Sequence, residues 1–123
     1  VHFAASSGML SSFMDRIFYG RRNLFSNKVG AAIVSCRRGG ATAALDEVNK
    51  YFTISNMPIA SSQYWNMVHG NTPEEVKKDE EGMQTMRTLG NNMAWLLKCI
   101  EAGKEAGIEQ PKNELIISTN FIR

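Results

Sequence analysis

Three short stretches carry residues able to do chemistry: FAASSG (3–8), CRRGGA (36–41) and SSQYWNMVHG (61–70). Gly39 and Gly40 carry no side chain to block close approach, and both tolerate positive φ. They lie where a helix is expected to begin, so their N–H groups face a site that favours electron-rich atoms. Arg37 and Arg38 add planar cationic donors. Together these four suit the carbonyl edge of a flat heterocycle or a phosphate. On spacing alone, a tight strand-to-helix turn with solvated arginines is the simpler reading, because a Gly-Gly pair falls short of a dinucleotide fingerprint. In the third stretch, Tyr64 and Trp65 can stack on a flat ligand, and His69 can donate a hydrogen bond or shuttle a proton. Taken alone, Trp65 more simply plugs a core edge and His69 is an exposed loop residue.

The elements that must position these loops follow from periodicity. Met9, Leu10, Phe13, Met14, Ile17 and Phe18 recur at gaps of three and four, which predicts an amphipathic helix over 7–19 with Gly20 as its stop. KVGAAIVSC (28–36) is apolar without alternation, as in a strand covered on both faces. A second helix is predicted over 41–52 and a brief second strand over 57–61. Residues 63–73 read as loop. Thr72-Pro73-Glu74-Glu75 reads as an N-cap, a proline in the first helical position and acids in the first turn. A long helix is predicted over 80–105, with Met83, Met86, Leu89, Met93, Leu96, Leu97 and Ile100 on one face, Gly82 as a break before it and Gly107 as its end. LIIST (115–119) is β-rich and offers a third strand. This alternation predicts an α/β domain with a parallel sheet, spanning 1–123 as one unit. In such sheets ligands sit beyond the carboxyl ends of the strands, where all three stretches would then lie.

The bulk numbers exclude several classes. The chain has 123 residues and a net charge of +2, with no basic face of the kind nucleic acid requires. No apolar run approaches the roughly 20 residues that cross a bilayer. The two cysteines, Cys36 and Cys99, lack metal-ligand spacing and read as free buried thiols of a reducing, cytoplasmic compartment. No zinc motif, Walker loop or Ser-His-Asp arrangement occurs, so neither a metal site nor a catalytic side chain is assigned.

In order along the chain, VHFAASSGMLSSFMDR, KVGAAIVSCRRGGA, IASSQYWNMVHG, DEEGMQTMRTLGNNMAWLLK and TNFIR resemble the later segments of flavodoxin-fold NAD(P)H-dependent FMN reductases. The resemblance departs at the start. His2 stands where the family usually has tyrosine, and the Ser-Pro before it is not seen. It implies a flavodoxin-like doubly wound parallel sheet, of which this chain keeps the C-terminal part, strands 4 and 5 with flanking helices. It implies FMN as cofactor and NAD(P)H as co-substrate, with electrons passed to a flavin, a quinone or a similar small acceptor. Carried over by position, Phe3, Ala4 and Ser6 flank the isoalloxazine, Arg37, Arg38, Gly39 and Gly40 border its polar edge, and Tyr64, Trp65 and His69 close the site. The family's phosphate loop would precede Val1, so the chain is expected to be a fragment and to assemble as a homo-oligomer, a dimer or tetramer. The alternative is a non-catalytic, oligomerising flavodoxin-like fragment unable to hold FMN by itself.

Overall fold

A computed structural model describes residues 1–122; Arg123, the last residue of the TNFIR stretch, lies outside the described residues. The elements run α1 (Gly8–Arg21), a 3-10 turn (Arg22–Phe25), β1 (Val34–Cys36), α2 (Ala41–Ile54), β2 (Met67–His69), α3 (Pro73–Val76) and α4 (Glu80–Glu105). β1 and β2 pair in parallel, with Val34 opposite Met67 and Cys36 opposite His69. This mixed α/β arrangement, with a small parallel sheet, is compatible with a flavodoxin-like fold.

Helix ends follow local chemistry. The Ser7 hydroxyl accepts from Leu10 N–H, the Thr72 hydroxyl from Glu75 N–H, and the Asp79 carboxylate from Gly82 N–H. Each satisfies a first-turn donor that the helix itself leaves unpaired. Gly20 does not stop α1, which continues to Arg21 and then tightens into the 3-10 turn. Nor does Gly82 break α4. It sits buried in the first turn, where a side chain would run into the Asp79 carboxyl and Val68.

Alternate residues of the strands serve opposite faces. Ala32, Val34, Cys36 and Met67 join Phe18 of α1 and Ala41, Ala44, Leu45 and Phe52 of α2 in one core. Phe18 stacks on Phe25 at 4.6 Å between ring centres. On the other face α4 covers β2 alone, where Gly82, Thr85 and Leu89 are buried. Ile33 and Ser35 stay exposed, so the first strand is not covered on both faces as its apolar run over 28–36 suggested. Leu97, expected on the inner stripe, is half exposed, and Cys99 is exposed rather than buried. The apolar period was right, but the second half of α4 runs past the end of the two-stranded sheet.

Two strand assignments change. The second strand is split. Ile59 bridges Gly30 in parallel, the chain then leaves the sheet, and pairing resumes at Met67. Leu115–Thr119 forms no strand. The chain after α4 instead returns beside the end of the 3-10 turn, with Asn113 Nδ2 donating to Ser26 Oγ at 3.1 Å and Asn27 Nδ2 to Pro111 O at 3.4 Å. Leu115, Ile116 and Ile117 stay exposed, with no neighbouring edge to hydrogen-bond. The accessible surface is 9489 Å², against about 6,600 Å² for a compact monomer of this mass. Met9, Leu10, Phe13, Ile33 and Trp95 contribute apolar area to that excess. No helix among the described residues is long and apolar enough to cross a membrane.

Candidate functional site

Two of the three stretches meet at the carboxyl end of β1. The first folds back on itself: His2 and Ala5 exchange backbone hydrogen bonds at 2.9 Å, and Phe3 (φ 48°) and Ala4 (φ 58°) turn between them. Both positions are left-handed, the geometry that suits a two-residue hairpin turn but is unusual for these residue types. The Val1 amine donates to Ser35 O at 3.1 Å, which lays the turn beside β1. Gly40 has φ 85°, and a Cβ there would lie 2.8 Å from Ala4 Cα and 3.0 Å from Val1 Cγ1. Glycine is therefore required at 40 for conformation and for contact with the first turn. Gly39 differs: nothing lies within 4 Å of its missing Cβ. No hydrogen bond among the described residues uses the N–H of Gly39 or Gly40. Arg37 and Arg38 are exposed beside them.

Ser6 is occupied differently from its neighbours. Its N–H donates to Glu47 Oε2 at 2.7 Å, and its hydroxyl shares a 2.6 Å hydrogen bond with Ser11 Oγ, which also donates to Glu47 Oε1 at 3.2 Å. The Ser6 N–H, ahead of burial working the other way and the two serine hydroxyls, holds the Glu47 carboxyl below the ordinary glutamate range. Ser6 thus anchors the first turn to α2. Phe3 is fully exposed and touches little.

The third stretch divides. His69 ends β2, and Gly70 N–H donates to Cys36 O at 3.0 Å, so the His-Gly pair abuts the arginine-glycine loop. A side chain at Gly70 would strike the Val76 backbone nitrogen at 2.6 Å, which is how closely α3 closes over this edge. Tyr64 and Trp65 do not follow the strand end as expected. They project from the excursion between the two halves of the strand, more than half exposed, with ring centres 5.1 Å apart. Tyr64 nevertheless shares a small cleft of about 30 Å³ with His69, lined also by Asp79, Gly82 and Thr85.

Asp79 is the residue the sequence reading passed over. Its Oδ2 accepts the His69 N–H at 2.7 Å and lies 3.6 Å from His69 Nδ1, while Oδ1 accepts Gly82 N–H at 2.9 Å. The Gly82 and His69 N–H groups, against opposing burial, pull its carboxyl below the usual aspartate range. The only sequence signal was an aspartate one residue ahead of a helical period, which reads as a cap and says nothing of the strand ten residues earlier.

The sequence profile of the NADPH-dependent FMN reductase family matches residues 1–72. The chain belongs to that family. The matched span contains the first turn, the arginine-glycine loop and the His-Gly edge. An iron-sulfur flavoprotein of Methanocaldococcus jannaschii is 29% identical over 109 residues, covering 82% of this chain and 56% of that relative. The chain therefore spans little more than half the length of this curated relative. No solved structure matches it.

The two groups these names imply fare differently. An iron–sulfur cluster is held by about four cysteine thiolates. This chain has two cysteines, one buried on β1 and one exposed on α4, and no group of three or more His, Cys, Asp or Glu gathers at a metal-binding distance among the described residues. The cluster has no ligand set in these residues. A flavin ring is better matched: open backbone at Gly39, unused N–H groups, two arginines and an imidazole border one sheet edge.

Proposed function

We propose that the chain is an FMN-dependent oxidoreductase that takes hydride from NAD(P)H and delivers electrons to a small acceptor such as a flavin or quinone. The observation that supports this reading best is the meeting of Ala4, the Arg37–Gly40 loop and His69–Gly70 at the carboxyl end of β1 and β2, inside the span matched by the family. FMN, when bound, supplies the hydride-accepting ring and the redox chemistry. The protein binds and orients. Gly39 lets the backbone approach the ring edge, and the Arg37 and Arg38 guanidiniums offer donors to its carbonyl oxygens. Tyr64 and Trp65 supply stacking surface. His69 turns Nδ1 towards the ionised Asp79, which leaves Nε2 as the nitrogen available to a ligand. Phe3 adds an exposed ring at the rim.

The test is a titration of the purified protein with FMN, followed by quenching of flavin fluorescence. Saturable binding, weakened by Gly39→Val, is the expected result. A protein that quenches nothing at any FMN concentration would sink the reading. The same reading has the chain work as a homo-oligomer, because about 2,900 Å² of surface exceeds what a compact monomer of this mass shows. Light scattering is expected to give a mass of at least twice 13.7 kDa.

A further inference from the structure

The excursion that carries Tyr64 and Trp65 is held more firmly than its exposure suggests. Gln63 Nε2 donates to Gln84 Oε1 at 2.9 Å, and Thr88 Oγ1 donates to Gln63 Oε1 at 3.0 Å. Asn92 Nδ2 donates to Ser61 O at 2.9 Å. Gln84, Thr88 and Asn92 are spaced four apart, so they form one polar stripe along α4. Within the excursion, Tyr64 N–H donates to Ser62 Oγ at 3.3 Å, and Met67 N–H donates to Trp65 O at 2.7 Å in a three-residue turn. The backbone is thus tied at its start, its middle and its end. Yet the side chains this bracing presents, Tyr64 and Trp65, are 52% and 57% exposed, so about half of each is left open. Immobilising a glutamine and an asparagine costs side-chain entropy, which the half-open rings at the tip offset only in part.

We propose that the Gln84–Thr88–Asn92 stripe is a positioning device that pre-sets Tyr64 and Trp65 as a rigid stacking platform for the flat ring of the flavin. None of these three residues touches the ring; they act through Gln63 and Ser61. Pre-organisation of this kind strengthens binding by removing the ordering cost at the moment of association. The identity of the ring rests on the flavin reading above, whereas the bracing of the loop does not.

The chain has two tryptophans, so Trp95→Phe leaves Trp65 as the sole reporter. In that background, time-resolved anisotropy of Trp65 is expected to follow overall tumbling. Adding Gln63→Ala and Asn92→Ala is expected to introduce a fast nanosecond component, to leave far-UV circular dichroism unchanged, and to weaken FMN about tenfold. Thr88→Val alone should reproduce part of both effects, and Thr88→Ser, which keeps the hydroxyl that donates to Gln63, should show neither, which keeps the test decisive if the double variant folds poorly. Unchanged anisotropy in Thr88→Val and in the double variant would overturn the bracing. A mobilised Trp65 with unaltered FMN affinity would overturn the platform. Should the parent bind no FMN, the flavin reading falls and the platform with it, while the anisotropy still decides the bracing.

Discussion

Gly40→Ala tests whether the first turn and the arginine-glycine loop form one structure. Two costs add. The backbone at φ 85° is left-handed, which costs an alanine about 1–2 kcal/mol. The new methyl would sit 2.8 Å from Ala4 Cα, a backbone atom that cannot swing aside, and overpacking of this sort costs about 1–3 kcal/mol. A stiffer unfolded chain returns about 0.4–1 kcal/mol. The net loss is about 1–4.5 kcal/mol. At a urea dependence of about 1.5 kcal/mol per molar, the midpoint should fall by roughly 0.7–3 M. Gly39→Ala is the control, because nothing lies within 4 Å of its Cβ position and its φ is not positive. Its stability should stay within about 0.5 kcal/mol of wild type, a midpoint shift of about 0.3 M or less. Urea unfolding followed by circular dichroism reads both. A Gly40→Ala midpoint equal to wild type, or a Gly39→Ala loss of the same size, would refute the contact between the two loops.

Two further outcomes follow from the chemistry of single groups. Because the Glu47 pKa is depressed in the fold, its contribution is present above the ordinary value of about 4.3 and is lost as pH falls through the folded value. Glu47→Gln should therefore cost about 1–2 kcal/mol near neutral pH, with the gap to wild type closing on acidification; urea midpoints across pH check this, and a gap independent of pH counts against it. Cys99 is exposed and Cys36 is 6% exposed, so a disulfide-exchange reagent should titrate one thiol rapidly and the second only on unfolding; two fast thiols would contradict the buried end of β1.

The helices were legible because a period near 3.6 survives over many residues, as in Met9 to Phe18 and Met83 to Ile100. The small parallel sheet was legible in the place of its first strand, but the run expected to be covered on both faces over 28–36 pairs as a strand only at Val34–Cys36 and is buried at alternate positions. The resumed strand was not, since Met67–His69 is too short to show alternation and follows a polar, aromatic loop. Leu115–Thr119 shows the converse failure: β-branched residues favour a strand, but a strand needs a neighbour, and local propensity does not supply one. The loops with chemistry were found by type. Their supports were not, because Ser6–Glu47 joins residues 41 apart in sequence and His69–Asp79 joins a strand to a helix cap. Such pairings are invisible to any window along the chain.

The split strand carries a freedom of length. The pairing offset is 29 residues at Gly30–Ile59 and 33 at Val34–Met67, so four residues are looped out between them. Gly30 and Val34 are an even number of residues apart, so their partners Ile59 and Met67 point to the same side of the sheet, and both pack against the core shared with α1 and α2. The pairing with Val34 and Cys36 sets the facing of Met67 and His69, and the looped-out residues have no part in it. The insertion can therefore lengthen or shorten by any number while the edge that holds His69 keeps its facing, whereas a one-residue slip where pairing resumes would turn Met67 and His69 over.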